Sequence, residues 1–168
     1  MNTAAFPQSL DVIRHLIFDR LELKMTNPEK QEGTDYSAFA FELNGRRVLF
    51  RDAKVTSKKI GQFVTLWKRD RNGVTQPFDV SDGIDLIVVN TAFKNQLGQF
   101  VFPESALLDQ GVFKRNKEGK RGIRVYPSWD IPLNKQAERT QRWQLEYFLD
   151  LTNKANIDYD FVRRLYAE

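Results

Sequence analysis

A nearly continuous run of apolar, mostly β-branched residues at positions 84–92 constrains the fold of this chain most strongly. A second apolar segment follows at positions 99–102. Runs of this length and composition are typical of strands buried within a sheet. Helical patterns occur near both ends of the chain, and a short one follows the second strand. This order predicts an α+β fold in which helices flank a central mixed or mostly antiparallel sheet.

A hairpin is predicted upstream of these strands, at Asn44-Gly45. This dipeptide favours the two-residue turns that connect antiparallel strands. Residues 36–43 alternate in polarity before the turn, and residues 48–53 alternate after it. The alternation places Phe39, Phe41 and Leu43 on the apolar face of the first strand.

The remaining elements are predicted from helical spacing and turn residues. Ser9 is the expected N-cap of a first helix ending near Arg20, and Asn134 that of a long helix ending near Leu151. Short helices are expected after Pro103 and over residues 159–166. A short helix leading into a strand is expected over residues 60–67. Residues 24–34 are predicted to form a polar loop, and residues 114–122 an exposed hairpin or mobile loop.

Composition excludes several functional classes. The chain has 168 residues, 41% of them hydrophobic and 29% charged, which is typical of one soluble domain spanning residues 1–168. The absence of cysteine excludes disulfides, thiol nucleophiles and cysteine-based metal sites. The single histidine, His15, lies in the first helical pattern and is interpreted as a structural residue. No apolar stretch reaches about 18 residues and no signal-peptide pattern is present, so we expect a cytoplasmic protein without a membrane partner.

Positive charge is concentrated in two segments. Residues 44–77 contain nine basic and two acidic side chains, and residues 110–127 contain six basic and one acidic. The rest of the chain is acidic. Two basic segments that the fold brings together would form a positive surface facing a polyanion. The alternative is a pair of solvated loops.

Five blocks of aromatic, basic and glycine residues follow one another along the chain, at positions 51–69, 76–78, 98–103, 119–130 and 135–144. The first contains Lys58-Lys59-Ile60-Gly61-Gln62-Phe63, and the fourth contains Gly119-Lys120-Arg121-Gly122. In this order they resemble the signature of the MepB-like family over residues 36–148. The resemblance implies a bacterial protein with a fold similar to PD-(D/E)xK nucleases, for which DNA binding has been proposed.

A nuclease of that fold needs carboxylates that hold a divalent cation, Mg²⁺ or Mn²⁺, and a lysine beside them. Asp52 and Lys54 fit the second half of the motif because residues two apart in a strand share a face. Asp35 and Glu22 are the candidate partner ligands. Glu42 is a poor partner because it lies about five residues from Asp52 along the hairpin, or roughly 17 Å. The alternative for Asp52 and Lys54 is a surface ion pair.

Phosphate binding needs cationic and hydroxyl donors without a metal. Exposed aromatic side chains beside these donors would stack unpaired bases, and Trp67 and Trp129 are the candidates. Phe63 and Trp143 are expected in the core. The candidate donors lie in both basic segments: Arg51, Lys54, Thr56, Lys58, Lys59, Gln62, Lys68, Arg69, Lys120, Arg121 and Arg124.

Three functions remain open from the sequence. The first is a nucleic-acid-binding protein, with DNA the expected polymer, whose two basic segments form the walls of a groove. The second is a metal-dependent nuclease that uses Asp35, Asp52 and Lys54. The third is an accessory factor in drug or stress response that binds a protein or a small molecule. The oligomeric state is left open.

Overall fold

The computed structural model describes residues 6–167. The strands, in chain order, are β1 (Met25–Lys30), β2 (Phe39–Leu43), β3 (Arg46–Asp52), β4 (Lys54–Val55), β5 (Gln62–Thr65), β6 (Lys68–Arg69), β7 (Thr75–Gln76), β8 (Leu86–Phe93), β9 (Gln96–Pro103), β10 (Gly122–Val125) and β11 (Phe148–Asp150). The α-helices are α1 (Gln8–Ile13), α2 (Glu104–Asp109), α3 (Lys135–Gln144) and α4 (Tyr159–Ala167). Helix α1 continues into a π-helical turn, Arg14–Phe18.

Six strands form the central sheet, in the order β1-β2-β3-β8-β9-β11. Strands β3 and β8 run parallel, and the other neighbouring pairs are antiparallel. The predicted α+β fold with a mixed central sheet is confirmed. The predicted hairpin is β2–β3, where Asn44 and Gly45 have φ angles of 49° and 82°. Two successive residues with positive φ are what the predicted turn requires.

The two faces of the central sheet carry separate hydrophobic cores. On one face, side chains of β2 and β3 such as Phe41 and Phe50 pack against α1, the π-helical turn and α4. On the other, Leu49 and Phe102 pack against a second layer that includes α2. A strand covered on both faces must be apolar along its whole length. This explains the continuous apolar run now seen as β8.

The second layer contains a three-stranded antiparallel sheet, β10-β5-β4. Val64 of β5 pairs with Ile123 of β10, and both side chains point to the core between the sheets. Phe63 and Arg124 form the next pair, so they lie on the opposite, outward side. The small sheet therefore separates an apolar interior from a cationic outer side.

Four predicted elements differ in the structure. Ser9 does not cap a helix, because α1 begins after Pro7 and the Ser9 hydroxyl donates to Asp52. The predicted polar loop contains β1, a bulged edge strand with no apolar alternation. The segment predicted as a short helix leading into a strand, residues 60–67, contains no helix, and its strand is β5. The long helix ends at Gln144 instead of Leu151, because the following residues turn and pair with β9 as β11.

Within the described residues, no helix is both long enough and apolar enough to cross a membrane.

Candidate nucleic-acid interface

A groove of about 890 Å³ lies between the outward side of the small sheet and α3. Four cationic side chains line it: Lys58 and Lys59 from the first basic segment, and Lys120 and Arg124 from the second. No aspartate or glutamate is among its lining residues. The fold therefore brings members of both basic segments to one surface without neutralising them there.

Arg124 is held in a fixed orientation at the groove. Its Nη1 donates to Thr56 Oγ1 at 3.0 Å, to the carbonyl of Gly61 at 3.2 Å and to that of Ile60 at 3.4 Å. Within the described chain, the hydrogen bonds of this guanidinium use Nη1 alone. Its Nε and Nη2 donors are left for a ligand, in the fork geometry that matches phosphate oxygens.

Aromatic side chains supply part of the groove wall: Phe63, Tyr126 and Trp143. Tyr126 packs directly on Gly61, where a Cβ would come within 2.8 Å of two ring carbons. Gly61 has a φ of +86°, so both its backbone conformation and its missing side chain fit this contact. Trp143 reaches the core as well, with its ring centroid 5.3 Å from that of Phe102.

Helix α3 is fastened to the small sheet through Gln144, which is fully buried. Its Oε1 accepts from the backbone N–H of Tyr126 at 2.9 Å, and its Nε2 donates to the carbonyl of Arg124 at 3.0 Å. These backbone groups belong to the outer edge of β10 or follow it directly. One side chain thus covers a strand edge and fixes the helix that forms the other wall of the groove.

The N-terminus of α3 begins beside the groove at Asn134. The side chain of Asn134 accepts from the backbone N–H of Ala137 at 2.8 Å, as predicted for an N-cap. Gln136 and Thr140 of α3 also line the groove. Sequence reasoning did not assign Gln136, Thr140 or Gln144 to the site, and the only signal for these three residues was their position in the fifth block of aromatic and basic residues.

Two predicted phosphate donors are buried elsewhere. Arg51 is 3% exposed and donates to the carbonyl of Phe50 and to Gln31 Oε1. Burial lowers the pKa of Arg51 to about 10. Gln62 is 2% exposed and donates to the carbonyl of Ala92. Their hydrogen bonds join parts of the fold and do not face the groove.

Three other predicted donors are already bonded within the protein. Lys68 forms ion pairs with Asp82 at 2.8 Å and Asp79 at 3.2 Å. Burial alone would lower the pKa of Lys68, but the hydrogen bonds that its ammonium donates to the two carboxylates outweigh this effect and raise the pKa. The last two donate to different groups: Arg69 to Glu32, and Arg121 through Nε to the carbonyl of Thr75.

The remaining predicted residues lie outside the groove lining. Lys54 is exposed, with its ammonium 5.3 Å from the centre of the Tyr36 ring. Trp67 lies against Arg69, with the guanidinium 5.0 Å from its ring centre. Trp129 is half-buried against Phe148.

Asp52 belongs to a chain of polar contacts, half-buried at Asp52 and fully buried at Gln99, on the helix-covered face of the sheet. Its Oδ2 accepts from Ser9 Oγ at 2.6 Å, and the Ser9 carbonyl accepts from Asn90. Asn90 Oδ1 accepts from Gln99, whose Oε1 accepts from the Tyr166 hydroxyl.

Burial raises the pKa of the Asp52 carboxyl, against the opposing effect of the hydrogen bonds that Ser9 and Ser37 donate to it. Burial also raises the pKa of Tyr166 well above its ordinary value.

The candidate metal ligands do not form a cation site. Asp52 is bonded to Ser9, whereas Asp35 and Glu22 are exposed in two different turns. No group of three histidine, cysteine, aspartate or glutamate side chains within residues 6–167 is placed to hold a metal ion. Asp52 pairs with Asn90 on β8, and Asn90 pairs with Gln99 on β9; both of these neighbours are amides, which carry no charge. The donor set of this region does not fit Mg²⁺ or Mn²⁺.

Comparisons with known proteins identify the family. The model of the MepB-like family matches residues 30–150. This chain belongs to the MepB-like family. A crystal structure of MepB is 30% identical in sequence, covers 88% of this chain and 99% of its own, and superposes with a TM-score of 0.76. No curated protein matches the chain. Every residue lining the groove lies within the part of the chain matched by the MepB-like model, whereas Ser9 and Tyr166 lie outside it.

Proposed function

We propose that the protein binds nucleic acid in the groove between the small sheet and α3. The observation that carries the proposal is the convergence of cations from two basic segments on a groove whose lining contains no carboxylate. About 60 residues of chain separate Lys59 from Lys120. A surface of this kind attracts a polyanion, and the phosphate backbone supplies most of the affinity of nucleic-acid binding.

The cations have different roles in this proposal. Arg124, fixed by Thr56 and two backbone carbonyls, offers its remaining donors to one phosphate in a defined geometry. Lys58, Lys59 and Lys120 are exposed and act as mobile point charges along the backbone. The arrangement gives one oriented contact and three adaptable ones.

The aromatic wall favours a strand whose bases are not paired. Phe63, Tyr126 and Trp143 present ring surface within the same groove as the cations. A cationic groove combined with aromatic rings is the usual arrangement in single-strand binders, where stacking contributes about 1–3 kcal/mol per base. Single-stranded DNA is therefore the first probe, with RNA and duplex DNA compared at the same length.

The test is fluorescence anisotropy of a labelled single strand, titrated at low salt with a chelator present. Lys120→Ala removes one groove cation, and Lys154→Ala removes an exposed lysine outside the groove. We expect Lys120→Ala to weaken binding several-fold and Lys154→Ala to leave it unchanged. Equal effects of the two variants, or no binding by the wild-type protein, would overturn the proposal.

Adding Mn²⁺ or Mg²⁺ after the titration separates binding from cleavage. The proposed contacts use side-chain cations, so we expect the metal to lower the affinity only as a competing salt does and to leave the strand intact on a gel. Cleavage that requires the metal and is lost in Lys54→Ala would favour the nuclease alternative instead.

A further inference from the structure

Two large, exposed apolar side chains precede α3, and one of them lies at the rim of the groove. Ile131 is 79% exposed and Leu133 is 82% exposed, more than any other large hydrophobic residue in the described part of the chain. Leu133 lines the same groove as the four cations. Side chains this exposed gain little from folding, so their apolar surface is available to a ligand.

The segment that carries them is held rigidly at both ends. Gln141 Nε2 donates to the carbonyls of Asp130 at 2.9 Å and Pro127 at 3.0 Å. At the other end, Asn134 caps α3. Pro132 restricts the backbone between the two apolar residues. Ile131 and Leu133 therefore lie at a fixed position, and a ligand that contacts them meets little loss of chain entropy.

We propose that Leu133, with Ile131 beside it, contacts the apolar faces of nucleobases in the strand bound by the groove. The inference rests on the proposed function and adds a second, uncharged contribution to it. Phosphates facing the cations leave the bases of a single strand free to turn toward the opposite wall. Leu133 lies on the α3 side of the groove, directly before that helix. Apolar side chains contact base faces without reading their edges. An apolar protein segment would fit the rim equally well but not the four cations beside it.

The charge-dependent and base-dependent contributions are separable by experiment. The affinities of the wild-type protein and of Leu133→Ser are each measured for two labelled strands of equal length. One is a normal single strand, and the other has the same backbone but lacks bases. The side chain is exposed, so the variant is expected to fold. We expect Leu133→Ser to weaken binding of the normal strand about tenfold. The strand without bases should bind both proteins equally, and the salt dependence should not change.

Val74→Ser provides a matched control, because Val74 is 58% exposed and lies outside the groove lining. This control should bind both strands as the wild type does. An equal loss on both strands, or no loss on either, would overturn the assignment of Leu133 while leaving groove binding intact. Failure of the wild-type protein to bind either strand would overturn both proposals. Tighter binding of an acidic leucine-containing peptide than of the strand, lost in Leu133→Ser, would show a protein-docking rim instead.

Discussion

At the residue scale, the groove depends on how Arg124 is oriented, and Thr56 provides the side-chain acceptor. Thr56→Val keeps the shape of the side chain but removes the hydroxyl, so Arg124 Nη1 loses one of its three acceptors and the guanidinium gains rotational freedom. We expect affinity for a single strand to fall about three-fold, in the range of one modest hydrogen bond. Thr56→Ser keeps the hydroxyl and should keep the affinity. Similar affinities of the valine and serine variants would contradict a positioning role for Thr56.

Asp52 gives a prediction about stability and pH. Because burial raises its pKa above the ordinary value of 3.8, the folded protein binds the proton of this carboxyl more tightly than the unfolded chain does. The resulting stabilisation is complete below pH 3.8 and is lost as the pH rises through the raised pKa. Asp52→Asn removes this titration while keeping an oxygen that accepts from Ser9. The free energy of unfolding of the wild type, measured in urea, should therefore fall relative to the variant as the pH rises from 4 to 7. A difference that stays constant over this range would contradict the buried placement of Asp52.

Comparing individual cations explains why the sequence predicted only some of the residues that line the groove. Lys58, Lys59, Lys120 and Arg124 were candidates and lie at the groove. Arg51 has the same chemistry but its strand position turns it into the core between the sheets. Charge and spacing do not reveal which face of a strand is covered, and they do not reveal that Lys68 meets Asp79 and Asp82.

At the scale of elements, α3 and β10 depend on Gln144. Gln144→Leu leaves the buried backbone N–H of Tyr126 and the carbonyl of Arg124 without their partner. The expected loss of stability is about 2–3 kcal/mol, measured by urea unfolding. Gln136→Leu is the control because Gln136 is exposed on the same helix and should change stability by less than about 0.5 kcal/mol. Equal effects of the two substitutions would show that α3 is not fastened through Gln144.

The connection between β4 and β5 depends on Gly61. Gly61→Ala forces a side chain into a left-handed conformation and places its Cβ 2.8 Å from the Tyr126 ring and 2.9 Å from the carbonyl oxygen of Val125. Gly45→Ala has a similar φ but no atom within 4 Å of the new Cβ. We expect Gly45→Ala to cost about 1 kcal/mol from conformation alone and Gly61→Ala at least twice as much. Thermal unfolding measures both, and similar melting temperatures would contradict the close contact with Tyr126.

Elements with strong local signals were predicted well, and those decided by tertiary pairing were not. Asn44-Gly45 marked its hairpin, and β8 was evident from apolar residues alone. Strand β1 is polar because it lies at a sheet edge, and it contains Pro28 and a bulge. Strand β11 continues a helical pattern in sequence and becomes a strand because β9 offers an open edge.

At the scale of the whole molecule, the fold determines where the basic side chains cluster. The sequence carries a formal net charge of only +4, and its basic segments are far apart in sequence. Pairing of β5 with β10 brings them together, and α3 closes the groove on its other side. In the proposed function, the local density of cations, and not the net charge, therefore governs attraction of a polyanion.

The salt dependence of binding shows how many of the groove cations contact phosphates. Affinity for a labelled single strand is measured with a chelator at several salt concentrations, for wild-type protein and for a variant with Lys58, Lys59 and Lys120 replaced by alanine. Four cations on phosphates predict a slope of log affinity against log salt of about −3 for the wild type, and one remaining cation predicts about −1 for the variant. The same slope for both proteins, or wild-type affinity that does not change with salt, would contradict phosphate binding by the groove cations.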